Sequence, residues 1–120
     1  MKRIIAPIAL LAAVLPTVPA FAHAFLDHAV PAVGATVSAA PKEVQLFYTQ
    51  QLEPAFSDAT LAAADGQAIA TAAATVDPQN PRELVLKLPP LAPGHYKVSW
   101  HVLSVDTHRT EGSFGFDIQP

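Results

Sequence analysis

The chain contains no cysteine, and its only methionine is Met1. Without thiols there can be no disulfide staple, so a small exported domain of this kind must be held by its core or by a bound metal. Thiolate and thioether are also removed from any metal site, leaving imidazole, carboxylate and amine as donors. Basic side chains are scarce: 7 Lys and Arg face 10 Asp and Glu, for a formal charge of −3. A surface poor in cations is a poor match for nucleic-acid phosphates. Long helices are excluded by the 12 prolines, because proline inside a helix removes a donor and clashes with the preceding turn.

What is present begins with a leader. Lys2 and Arg3 precede an apolar run from Ile4 to Val14 and then Ala20-Phe21-Ala22. This charged, apolar and A-x-A order predicts a signal peptide over residues 1–22, cut after Ala22. Pro7 and Pro16 interrupt the apolar stretch, which falls short of the ~20 residues that span a bilayer. No later segment is long and apolar enough to span. The exported product would be residues 23–120, 98 residues forming one domain. Since Lys2 and Arg3 leave with the leader, 5 basic side chains remain against 10 acidic ones.

Cleavage there places His23 first. A terminal histidine offers its free α-amine and its imidazole to one metal ion as a chelate. An internal histidine has no such option, because its backbone nitrogen belongs to an amide.

The mature segment reads as short strands separated by turns. An extended piece runs to Val30 and is closed by Pro31 and Gly34. Val44, Leu46 and Tyr48 alternate with Glu43, Gln45 and Phe47, giving one largely apolar face. A strand is expected from Phe56 to Ala64, ending in the Asp65-Gly66 hairpin signal. Gln67 to Val76 suits a strand or an alanine-rich helix equally, and Asp77 to Pro81 reads as a loop. Leu84, Leu86 and Leu88 form the next alternating strand, stopped by Pro89-Pro90. Tyr96, Val98, Trp100 and Val102 share one face of another, with Lys97, Ser99 and His101 opposite; Phe114, Phe116 and Ile118 point inward from the last. The expectation is an all-β, immunoglobulin-like antiparallel sandwich of about seven strands.

Asp106 and His108 follow the Trp100 strand two residues apart. In an extended chain this spacing puts both on one face. With His23 they make a four-donor set of amine, two imidazoles and a carboxylate. Tetragonal nitrogen and oxygen coordination suits Cu(II) or Ni(II), and divalent affinities peak at copper. Zinc accepts the same donors but prefers a tetrahedron. Cu(I) would be held poorly without sulfur, and an anionic carboxylate further favours Cu(II).

Tyr96-x-Val98-x-Trp100-x3-Ser104-x-Asp106-x-His108-x3-Gly112-x3-Phe116-x-Ile118 resembles the C-terminal signature of the periplasmic copper-binding CopC family. His23-Ala24-x-Leu26, then Pro31 and Gly34, resembles that family's mature N-terminus. The resemblance spans nearly the whole mature chain. It implies a Greek-key sandwich that holds one Cu(II) through an N-terminal histidine brace, with His23, Asp106 and His108 as ligands. It also implies a copper resistance or delivery role in the periplasm, with a CopD-type inner-membrane protein as partner and no enzymatic activity. There are three departures. The mature chain lacks the methionine-rich Cu(I) ligands of many members, which favours the single-site Cu(II) type. Tyr48-Thr49-Gln50 stands where the family often has Phe-Ser-Glu, which removes a carboxylate there. Thr107 replaces the common glycine between the two ligands, which should stiffen the strand without removing a ligand.

The remaining histidines have plainer readings. His28 is a surface residue near the N-terminus, with a fifth-ligand role as the alternative. His95 is read as a turn residue after Pro93-Gly94, and His101 as exposed or as a support for a ligand. Trp100 is read as core. The alternative function is a small histidine-brace copper monooxygenase, which would have to cycle through Cu(I) and keep a position open for oxygen.

Overall fold

Alternation of apolar and polar residues builds two sheets that face each other. The computed structural model describes residues 25–120, so the expected leader and His23 lie outside the described residues. Nine strands are found there: β1 (Leu26–Val30), β2 (Thr36–Val37), β3 (Glu43–Tyr48), β4 (Asp58–Ala63), β5 (Ala68–Ile69), β6 (Thr75–Asp77), β7 (Asn80–Lys87), β8 (Gly94–Leu103) and β9 (Arg109–Ile118). Two of them, β2 and β5, are two residues long, which leaves seven of substance, as expected. One sheet has the order β1-β3-β7-β6 and the other β2-β9-β8-β4-β5. All pairings are antiparallel except β2 with β9. The chain passes repeatedly from one sheet to the other, as in a Greek-key sandwich.

The core lies between the inner faces. Val44, Leu46, Leu84 and Leu86 come from the first sheet, and Leu61, Val98, Val102, Phe114 and Phe116 from the second; all are buried. All but Leu61 are residues the alternation placed inward. Truncating any of the buried leucines to alanine would cost about 2–5 kcal/mol, through lost burial and the cavity left behind. Trp100 joins the same core from a half-buried position, its ring edge-on to Tyr48 at 5.2 Å between centroids.

Three expectations need adjustment. Pro54–Phe56 forms a 3-10 turn, so the strand starts at Asp58 and not Phe56; Pro54 supplies the fixed φ that starts such a turn. The Gln67–Val76 stretch contains no helix: β5 pairs with β4 across the Asp65-Gly66 turn, and the chain then leaves for the other sheet to form β6. Asp58 Oδ1 accepts the Ala74 N–H at 2.8 Å and ties that crossing down. Within Asp77–Pro81 only Pro78 and Gln79 lie outside strands, because β6 and β7 pair tightly around them.

Candidate metal centre

The longest ladder among the described residues leads to Asp106 and His108, two of the three expected ligands. β8 and β9 pair without interruption from Gly94 opposite Ile118 to Leu103 opposite Arg109. Beyond Leu103 the Ser104 N–H donates to His108 O at 3.0 Å, and the Thr107 N–H donates to Ser104 O at 2.9 Å. These bonds close a hairpin with Val105, Asp106 and Thr107 at its tip. Thr107 has φ +73°, so the tip is a turn followed by a left-handed residue, a common three-residue hairpin.

That geometry brings Asp106 and His108 together, by a route other than the expected one. They are not on one face of an extended strand: the left-handed Thr107 folds the chain so that Asp106 Oδ2 lies 3.4 Å from His108 Nδ1. Both side chains remain partly open to solvent, at 46% for His108 and 37% for Asp106. Thr107 therefore does not stiffen a strand. It occupies a conformation in which a β-branched residue is rare and glycine is at ease.

Sequence reasoning quoted Ser104 but gave it no role. It is fully buried, and its hydroxyl donates to Asp106 Oδ1. That bond, ahead of the neighbouring His108, holds the Asp106 carboxyl below its usual range. The signal was present as a serine two residues before an aspartate, a spacing at which hydroxyls bond locally.

The segment 49–53 joins the turn to the start of the described chain. Thr49 N–H donates to Phe25 O at 2.9 Å, and Phe25 N–H donates to Thr49 Oγ1 at 3.0 Å. Two residues further on, Gln51 O accepts the Val105 N–H at 3.0 Å, and Glu53 N–H donates to Leu103 O at 2.8 Å. One short strap thus holds Phe25 and the β8–β9 turn at the same end of the sandwich.

Among the described residues no group of three His, Asp or Glu side chains converges on a point. The structure supplies a carboxylate and an imidazole as a pair, and the third expected ligand, His23, falls outside the described residues. A carboxylate kept ionised beside an exposed imidazole is a donor pair that fits Cu(II).

Two of the other histidines are paired away from this turn, and the third is exposed. His28 Nδ1 lies 2.8 Å from Asp27 Oδ2, and its ring stacks on Phe47 at 4.4 Å. His95 is not a turn residue: it belongs to β8 and pairs with Asp117 at 2.5 Å, across from it on β9. His101 is exposed on the outer face, opposite Asp58 on one side and Glu111 on the other.

Comparison with known proteins matches residues 26–119 to the CopC domain family. The chain is 37% identical over 113 residues to Protein YobA of Escherichia coli K12, covering 93% of this chain and 91% of that one. It is 33% identical over 124 residues to Copper resistance protein C of Xanthomonas campestris pv. juglandis, covering 98% and 97%. Among solved structures it resembles CopC from Methylosinus trichosporium OB3b, with a TM-score of 0.77 at 38% identity over 82% of this chain and 95% of the other. It also resembles PcoC, described as a methionine-rich copper resistance protein from Escherichia coli, with a TM-score of 0.69 at 33% identity over 82% and 100%.

Proposed function

The chain belongs to the CopC domain family, and from that premise we propose that it is a periplasmic copper-binding protein of copper resistance or delivery. It holds one Cu(II) per chain through His23, Asp106 and His108. The leader 1–22 is removed after Ala22, and His23 then supplies its α-amine and imidazole as a brace. The observation that carries this reading is the Asp106–His108 pair, 3.4 Å apart on a turn strapped beside Phe25. Phe25 is two residues beyond His23 in the chain, so the brace needs only a short reach to the pair.

The reading is of a carrier and not an oxidising enzyme. The Ser104 hydroxyl and His108 favour the ionised Asp106 carboxylate, and a fixed anion beside the metal favours Cu(II) over Cu(I). No sulfur donor is present in residues 23–120 to offset this. Names among the relatives point to copper resistance, and a CopD-type membrane protein is the proposed recipient.

Blocking the amine tests the brace. Acetylating the α-amine of His23 alone removes that donor from the chelate while leaving every side chain in place. Tight Cu(II) binding should then be lost, as read by competition with a chelator. Undiminished affinity would overturn the brace.

A further inference from the structure

Residues 105–108 of the β8–β9 turn are exposed, whereas Ser104 at its base is 0% exposed. Its polar groups are all engaged. The backbone N–H donates to His108 O at 3.0 Å, and the carbonyl accepts the Thr107 N–H at 2.9 Å. The hydroxyl oxygen accepts the His108 N–H at 3.3 Å. Its single proton has two acceptors in reach, His108 O at 3.2 Å and Asp106 Oδ1. His108 O already receives the Ser104 N–H, and a carboxylate is the stronger acceptor, so the proton goes to Asp106.

We propose that Ser104 is a positioning residue for the metal: it pins Oδ1 of Asp106 and leaves Oδ2 as the one oxygen that binds copper. Oδ2 is the oxygen on the His108 side. This rests on the reading of Asp106 and His108 as ligands. A carboxylate free to turn about its terminal bond would offer either oxygen, or both, and would have to be ordered as the ion arrived. Here that ordering is done in advance by a hydroxyl that water does not reach.

The test combines a double-mutant cycle with spectroscopy on the exported protein. Ser104→Ala should weaken Cu(II) binding about 10- to 100-fold, the usual effect of losing a partner behind a ligand. It should also shift the electron paramagnetic resonance spectrum of the bound ion. In an Asp106→Ala background the same change should weaken binding no further, because the hydroxyl acts through that carboxylate. An equal loss in both backgrounds would mark Ser104 as merely structural and overturn the proposal. So would a Ser104→Ala protein with wild-type affinity and spectrum beside a weakened Asp106→Ala, although the ligand reading would then stand. Wild-type affinity in Asp106→Ala would overturn the ligand reading itself, and this proposal with it. Infrared difference spectra of the unaltered copper protein give a readout that does not depend on any variant folding. One-oxygen coordination predicts widely separated carboxylate stretches that are absent from the Asp106→Ala spectrum; a narrow, two-oxygen pattern would overturn the proposal.

Discussion

Trp100 and Gly112 face each other across β8 and β9, and the indole lies where a side chain at 112 would begin. A Cβ built on Gly112 would sit 2.6 Å from Trp100 Cζ2. The glycine of the C-terminal motif is therefore a packing requirement: it lets the ring lie against the sheet and reach Tyr48. Gly112→Ala should destabilise the fold by about 1–3 kcal/mol, the usual range for overpacking a filled core. Chemical denaturation with tryptophan fluorescence would measure it. An unchanged midpoint would mean the ring has room that the contact distance denies.

The tip of the same hairpin carries the opposite defect. Thr107 sits at φ +73°, where an L side chain crowds its own backbone by roughly 1–2 kcal/mol. Thr107→Gly relieves that strain and should raise stability by roughly 1 kcal/mol, the net after glycine's larger loss of chain entropy. Copper affinity should stay within a few-fold, since neither Asp106 nor His108 is altered. A fall in stability would show that the threonine makes contacts outweighing its conformation.

Acid should act on the metal-free protein through Asp106. Its folded pKa is depressed, first by the Ser104 hydroxyl and then by His108. A depressed folded pKa means the ionised form is favoured by folding. The contribution is therefore present above the ordinary value near ~3.9 and is lost as pH falls through the lowered one. Denaturation curves measured between about pH 2 and 6 should show wild type losing, below about pH 4, an increment that Asp106→Asn lacks. Parallel curves across the whole range would contradict this.

Copper binding should respond to acid at higher pH. A free α-amine titrates near ~8 and imidazoles near ~6.5 as classes, and both must be deprotonated to bind metal. Affinity should fall steeply as pH drops from about 8 to 5, with more than one proton released per ion near neutrality or below. Calorimetry in buffers of different ionisation enthalpy counts those protons. A flat affinity over that interval would exclude the amine and imidazole set.

Much of the sandwich was legible because period-two alternation is what an inward and an outward face require. Val44-Leu46-Tyr48, Leu84-Leu86 and Phe114-Phe116-Ile118 are buried as read. Gln67–Val76 was ambiguous because alanine carries no face preference; its path is set by pairing with β4 and by the Asp58–Ala74 bond, neither visible locally. At the site, the spacing of Asp106 and His108 was legible and their convergence was expected for the wrong reason. An extended pair and a left-handed turn both bring residues two apart together, and only φ at Thr107 distinguishes them. Ser104 is visible in the sequence two residues before Asp106, but a buried serine that bonds a neighbouring carboxylate has the same letter as one that only packs.

Native mass spectrometry of the protein recovered from the periplasm and loaded with Cu(II) addresses the central claim in one step, since it reports where the chain starts and how many ions it carries. The account predicts a polypeptide beginning at His23 with one copper bound, and no tightly held copper on any form beginning elsewhere. A chain that starts at another residue and retains one tightly held Cu(II) would contradict it.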